Sequence, residues 1–271
     1  MASTLDIVIV SYNTREETLA CLRSIFAAPP MGLGRVWVVD NASADGSVDA
    51  IRADFPRVEV IALPSNAGFG AANNVALRKS DAALALLLNS DTLVRAGAID
   101  RLVARLDDTG AVAAGPRLVD RDGHPEISYG PMLTPWSEAI QRTRVRLAAR
   151  SGPLARRYVA SLVGRERDVD WVSGACLLAR REALVAAGFF DERYFLYEED
   201  VDLCAALRAG GGRVLFTPAV EATHLRGRSA RASGAGASHY DRSHLAFYEK
   251  HCPGWAPWLR AWLRLRGRSI R

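Results

Sequence analysis

Four groups of residues in this chain have the types and spacing to do chemistry. The first is Asn89-Ser90-Asp91, where an apolar run from Ala82 to Leu88 ends abruptly in three polar residues. In an open parallel sheet, ligands sit outside the carboxyl ends of the strands, so a strand here delivers these side chains to that edge. A carboxylate so placed can hold a hard divalent cation, which can in turn hold a phosphate. An Asx turn or helix cap, with Asp91 bonded only to local backbone, accounts for the stretch alone equally well. The second is Asp40, which follows the β-branched run Val36-Trp37-Val38-Val39. It can accept hydrogen bonds from a nucleobase or ribose, as acidic residues do in other nucleotide folds. Asp45 and Ser47 are the natural caps of the next helix, and Asp40 comes too early to be one.

The third group is Glu198-Glu199-Asp200-Val201-Asp202. Acidic residues at a helix N-terminus favour the macrodipole, but four carboxylates in five residues exceed what capping requires. One of them held near a bound hydroxyl would serve as a general base, worth about 10²–10⁴ in rate. The fourth is His224, with Arg226, Arg228 and Ser229 directly behind it. A lone histidine is more often structural, yet this neighbourhood makes a metal-plus-diphosphate site the better account. The loop Asn66-Ala67-Gly68-Phe69-Gly70 also contains a GxG, but it lies after the third strand and runs on to Asn73. That is weak support for a dinucleotide site, although its glycines let backbone approach a phosphate or ribose at a helix N-terminus.

The elements that must position these groups alternate. Strands are expected at Ile7–Val10, Val36–Val39, Val58–Leu63, Ala82–Leu88 and around 111–114. Helices are expected near 15–26, 47–54, 70–79 and 96–107. Such alternation indicates an α/β fold, a mostly parallel, doubly wound sheet with helices on both faces. Beyond Pro116 the pattern loosens into a basic helical region at 140–162, a strand at 171–179, and helices at 180–187 and 198–208. A short strand follows at Val214–Phe216. No linker divides the chain, so one compact domain over 1–230 with a tail over 231–271 is expected.

About half the residues are apolar and a quarter charged, as in an ordinary globular protein. Cys21, Cys176, Cys204 and Cys252 are scattered without a CxxC pair, which fits reduced thiols rather than a disulfide framework or zinc site. No export signal or run of about 20 apolar residues is visible, so a cytoplasmic, at most membrane-associated, protein is expected. From Leu225 onward ten basic residues face only Asp241 and Glu249, a net +8 that leaves −3 on the rest. A basic end on a near-neutral body points to an anionic partner such as a lipid headgroup, a diphosphate or nucleic acid.

The ordered series Val10-Ser11-Tyr12-Asn13, Val39-Asp40-Asn41-x-Ser43-x-Asp45-Gly46-Ser47, Asn66-x-Gly68-Phe69-Gly70, Leu88-Asn89-Ser90-Asp91, Ser173-Gly174-Ala175, Glu199-Asp200-Val201-Asp202 and His224-x-x-Gly227-x-Ser229 resembles the family 2 glycosyltransferases. The likeness is greatest to their bacterial rhamnosyltransferase-like branch and spans roughly residues 5 to 230. It implies the GT-A fold, with a nucleotide-sugar half to about residue 115 and an acceptor half from about 116 to 230. It implies inverting transfer from a nucleoside-diphosphate sugar to a saccharide or polyprenyl-diphosphate-linked acceptor, in cell-surface polysaccharide synthesis, with no nucleic acid partner. Matched by position, Tyr12 and Asp40 would contact donor base and ribose, with Ser11, Asn13, Asn89 and Ser90 beside them. Asn66, Gly68 and Asn73 would line the donor loop, and Arg226, Arg228 and Ser229 would meet the diphosphate. Asp91 and His224 would hold Mg2+ or Mn2+, Asp200 would be the base with Glu199 beside it, and Trp171, Ser173 and Gly174 would face the acceptor. One position departs from the pattern: the first carboxylate of the family's DxD metal motif is Asn89 here.

The tail carries Trp255, Trp258, Leu259, Trp262 and Leu263 at helical spacing, with Arg260, Arg264 and Arg268 on another face. A basic helix with tryptophans on its apolar side can lie in a membrane interface, and it can equally dock on the protein's own core. Two other functions compete with transfer. A sugar-1-phosphate nucleotidyltransferase would want a Gly-rich, basic phosphate loop where Ser11-Tyr12-Asn13 stands, and a non-catalytic binding module would need neither Glu199-Asp200 nor His224.

Overall fold

The computed structural model describes residues 4–148, 152–225 and 236–268. Strands β1 (Leu5–Ser11), β2 (Leu33–Asp40), β3 (Glu59–Ala62) and β4 (Leu84–Asn89) alternate with helices α1 (Arg15–Phe26), α2 (Ser47–Asp54) and α3 (Phe69–Leu77). All seven residues of β1 are buried, as expected for a strand covered on both faces. The four strands run parallel in the order β3-β2-β1-β4. The register sets Ser11 beside Asp40 and Val10 beside Asn89, so the polar strand ends emerge level along one edge. Asp45 accepts both the N–H and the hydroxyl of Ser47, the first residue of α2, but Gly46, at φ +76, holds the cap position, so neither Asp45 nor Ser47 is the cap that the sequence suggests.

The second half adds β5 (Thr92–Val94), α4 (Ala98–Thr109), β6 (Ala113–Val119), β7 (Tyr129–Gly130), α5 (Pro135–Ala148) and α6 (Pro153–Leu162). It continues with β8 (Arg167–Val169), β9 (Trp171–Val172), β10 (Cys176–Arg180), α7 (Arg181–Ala187), α8 (Glu199–Ala209) and β11 (Val214–His224). The nine-stranded sheet extends β4-β10-β6-β11-β5, with β8 added on β11. β10 runs antiparallel to both neighbours, so the sheet is parallel through its first four strands and mixed beyond them.

Three differences from the sequence expectation bear on the site, apart from the longer β6 and the unanticipated β7 and β8. The strand expected at 171–179 is broken at Ser173–Ala175, where the chain turns to meet α8. β11 is far longer than Val214–Phe216, because it resumes after an irregularity between Thr217 and Glu221. Pro218 lies in that gap and has no N–H for the ladder, which hides the continuation from pattern reading. Short β5 is the third; it pairs with the far end of β11 and sets Thr92 opposite His224.

One face of the sheet buries Leu5, Ile7, Ile9, Leu86 and Leu88 against α1 and α4, and the other buries Val8, Val39 and Leu87 against α3 and α8. A third cluster joins Tyr194 and Val201 to Phe247 and Tyr248 of α9 (Gly236–His251) and to Ala256 of α10 (Ala256–Leu265). The four cysteines are free.

Candidate active site

One end of the candidate site is built from strand ends and two braced loops. Asp40 is 2% exposed; its Oδ2 accepts the N–H of Ser43 at 2.9 Å, while its Oδ1 is buried without a partner. A buried carboxylate oxygen without a donor is costly, so this atom is poised for a ligand N–H or O–H. Asn13 adopts φ +53 and ties the first two loops together, donating its N–H to Ser43 Oγ and accepting the N–H of Ala44. Tyr12 is half-buried beside it. Ser11 and Ser90 are fully buried, with hydroxyls bonded to Thr14 and Thr18 for Ser11 and to Thr14 for Ser90. The structure therefore places them beneath the site, joining the loops after β1 and β4, rather than on its surface.

Asn66 accepts the N–H of Gly68 in an Asx turn, and Asn73 is buried in α3 with its Oδ1 unpartnered. The loop is held from the side by Asn41, whose side chain accepts from Ala67 N–H and donates to Gly68 O. Gly68 has φ +89, and Phe69 donates its N–H to Phe195 O at 2.8 Å, so the donor loop rests directly on the segment leading to α8.

At the next corner, Asp91 and His224 meet across the β5–β11 pairing, with Nε2 of His224 3.3 Å from Oδ1 of Asp91. Asn89 Nδ2 lies 3.4 Å from the same nitrogen, and Glu126 lies 3.6 Å from Nδ1. Burial opposes charge on the imidazole, but the Asp91 and Glu126 carboxylates outweigh it and push its pKa up to about 9. Two converging side chains of mixed oxygen and nitrogen character, with an amide beside them, fit a hard divalent cation. Asp120, Asp122 and His124 also bring ligand atoms within 4.8 Å, but Asp120 is occupied by the N–H groups of Asp122 and His124 in a hairpin turn.

Beside this corner is an open cleft of about 400 Å³ that includes Asn89, His224, Phe69, Trp171, Ser173, Gly174, Glu199 and Asp200 among its lining residues. Gly174 donates its N–H to Asp200 Oδ2 at 2.8 Å, and Val201 N–H reaches Oδ1. The break at 173–175 puts Gly174 close against α8, where a β-carbon on it would lie 3.3 Å from Asp200 Cβ. Burial raises the Asp200 pKa, opposed by Gly174 N–H and reinforced by Glu198. Burial also drives Glu199 well above the carboxylate range, with Asp200 adding to it, and its Oε2 has no partner. Of two adjacent carboxyls, the one that accepts two N–H groups is the more readily ionised, and that is Asp200. Arg226, Arg228 and Ser229 lie outside the described residues.

A sequence profile described as Glycosyl transferase family 2 matches residues 6–163. The chain belongs to this family. It is 29% identical over 297 residues to an N-acetylglucosaminyl-diphospho-decaprenol L-rhamnosyltransferase of Mycobacterium tuberculosis, covering 97% of this chain and 90% of the relative. In fold it matches the mannosyltransferase PcManGT from Pyrobaculum calidifontis, in complex with GDP-Man and Mn2+. The TM-score is 0.62 at 19% identity, over 96% of this chain and 69% of that one. It also matches Staphylococcus-type TarS (S. aureus) in complex with UDP-GlcNAc, with a TM-score of 0.62 at 15% identity, over 90% and 65% of the two chains. The protein is a family 2 glycosyltransferase of GT-A fold.

Several residues of this glycosyltransferase site escape sequence reading. Asn41 carries a signal, since it directly follows Asp40 at a strand end. Glu126 carries none, because only the hairpin after β6 brings it to His224. Glu138, Gln141 and Arg142 of α5 and Tyr240 of α9 also line the cleft, from helices whose sequences show no chemical motif.

Proposed function

We propose that this glycosyltransferase moves a sugar, rhamnose first among the candidates, from a nucleoside diphosphate to a hydroxyl of a saccharide or polyprenyl-diphosphate-linked acceptor, inverting the anomeric centre. The observation that carries the reading is one cleft holding Asp200, Asn89, His224 and the Trp171–Gly174 edge together. The activity of the mycobacterial relative supports the sugar and the acceptor class.

Asp40, with its unpartnered Oδ1, and Tyr12 would hold the nucleoside, and the Asn66–Asn73 loop would support the donor. Asp91 and His224, with Asn89 beside them, would hold Mg2+ or Mn2+, the imidazole losing the proton it shares with Asp91 in doing so. A divalent cation bound there neutralises charge on the leaving diphosphate. Arg226, Arg228 and Ser229 would add to that stabilisation by their position in the sequence. Asp200 takes the proton of the acceptor hydroxyl. The hydroxyl oxygen bonds to the anomeric carbon from the face opposite the diphosphate. The carbon–oxygen bond to the diphosphate breaks, and its electron pair leaves with the nucleotide.

The tail fits work at a bilayer surface. α10 docks through Ala256, Leu259 and Leu263, while Trp255, Trp258, Trp262 and Leu265 point outward, Trp258 being 72% exposed. Among the described residues no helix is long and apolar enough to cross a membrane. A docked helix that still presents tryptophans and arginines suits interfacial attachment on the cytoplasmic face of the plasma membrane.

The test is a donor panel of dTDP-, UDP- and GDP-sugars, with and without Mn2+, offered with a polyprenyl-diphosphate-linked N-acetylglucosamine acceptor. Metal-dependent transfer of one sugar with inverted configuration is expected. A product of retained configuration, or transfer indifferent to chelation, overturns the proposal.

A further inference from the structure

Helix α9 places one ionisable side chain behind the catalytic carboxylates, outside every motif found in the sequence. His244 is 3% exposed, with Nδ1 3.1 Å from Glu198 Oε1 and Nε2 3.3 Å from Glu138 Oε1. The two glutamates come from different elements, Glu198 from the turn into α8 and Glu138 from the first turn of α5. Glu138 also accepts the Tyr248 hydroxyl at 2.6 Å and the Arg142 guanidinium at 2.8 Å, and the Tyr240 ring stacks on the imidazole at 5.2 Å. An acceptor on each ring nitrogen calls for a proton on both, so His244 is an imidazolium. Burial resists that charge, but the two carboxylates outweigh it and push the pKa up to about 9.

The turn that His244 touches is an unusual one. Tyr197 and Glu198 have φ +70 and +68, a left-handed conformation disfavoured for any residue with a β-carbon. Such conformations persist where the surroundings over-determine them. Here α9 supplies the surroundings: Ser243 donates to Leu196 O at 2.8 Å, His239 stacks on Phe195, and Tyr240 meets Tyr197 edge-on. Glu199 and Asp200 follow at once, so the turn sets where Asp200 enters the cleft.

We propose that His244 is a positioning residue for Asp200, holding Glu198 in the left-handed turn and balancing its charge beside the base. The catalytic unit then extends through α9 to His251 instead of ending near residue 230. The proposal rests on Asp200 being the base. The charged and titratable groups around the pair are Glu138 and Arg142 on α5, Glu198 and Glu199 at α8, and Tyr240 and Tyr248 on α9. Without the imidazolium, the Glu198 charge is uncompensated and Asp200 holds its proton to higher pH.

The test compares the full chain with His244→Gln, Glu198→Gln and the double variant, measuring kcat, donor KM and the pH profile of kcat. For His244→Gln, kcat is expected to fall by about 10-fold or more with donor KM nearly unchanged. The acid limb of its profile should move to higher pH. In the double variant the limb should return toward the wild-type position. A folded His244→Gln enzyme with unchanged kcat and limb overturns the proposal, and so does a loss of kcat with no movement of the limb. Where His244→Gln fails to fold, Glu198→Gln decides: a limb moved to lower pH supports the proposal and an unmoved limb overturns it. Asp200→Asn in the same assay separates the two claims, since near-normal turnover there removes the base itself.

Discussion

Gly68→Ala probes the contact on which donor loop and catalytic turn depend. Gly68 adopts φ +89 and ψ 170, a region essentially reserved for glycine. A β-carbon there would overlap the Phe195 carbonyl oxygen and lie 2.9 Å from Phe195 Cα, both backbone atoms that no rotamer change can move. The dihedral strain costs about 1–3 kcal/mol. Pushing the loop away breaks the Phe69 N–H to Phe195 O bond at 2.8 Å, which is worth about 1 kcal/mol more. The sum is about 2–4 kcal/mol, and at about 2–4 °C per kcal/mol in a protein of this size Tm should fall by roughly 5–15 °C. Phe195 precedes Asp200 by five residues, so the displaced backbone reaches the base as well as the donor loop, and donor KM should rise while kcat falls. Circular-dichroism melting and steady-state kinetics measure both. Unchanged melting together with unchanged kinetics refutes the bracing of one loop on the other.

Three further outcomes are expected. Asp91→Ala should make donor affinity insensitive to Mn2+ in calorimetry, and a retained metal effect would show that the cation sits elsewhere. His244 has a folded pKa of about 9 against an ordinary 6.5, so it binds its proton more tightly in the folded state. Its stabilisation, at most about 3 kcal/mol, is complete below pH 6.5 and is lost as pH rises through 9. Tm should therefore decline over that window, less steeply in His244→Gln; parallel declines count against the buried imidazolium. Replacing Trp258 and Trp262 with Ala should reduce co-sedimentation with anionic liposomes without changing Tm by more than about 3 °C, since both side chains are exposed. Equal partitioning sinks the membrane role of α10.

The readable part of this protein lies where chemistry and local pattern coincide. The apolar runs of β1, β2 and β4 end in Ser11, Asp40 and Asn89, and their parallel register turns three separate sequence positions into one edge. The cluster at 198–202 is legible as more than a helix start requires, and the resemblance to the family singles out Asp200 within it. What escaped reading depends on non-local pairing. β5 is three residues long, too short for periodicity, yet it brings Asp91 to His224. The break at Ser173–Ala175 lets Gly174 bond Asp200, a residue 26 positions away. α9 carries no chemical motif in the sequence, and only its packing shows that His239, Tyr240, Ser243 and His244 grip the turn before Glu199 and Asp200. Ser11 and Ser90 illustrate the converse: their place at strand ends marks them for the donor, but Thr14 and Thr18 take up their hydroxyls.

The most direct measurement of the central claim is Asp200→Asn, read by turnover and by donor calorimetry on the same preparation. The asparagine carbonyl can still accept the Gly174 N–H, so the fold and the donor site should survive the change. The account predicts donor affinity within about twofold of wild type and kcat lower by about 10²–10⁴, the range lost with a general base. Near-normal turnover with intact donor binding would contradict it.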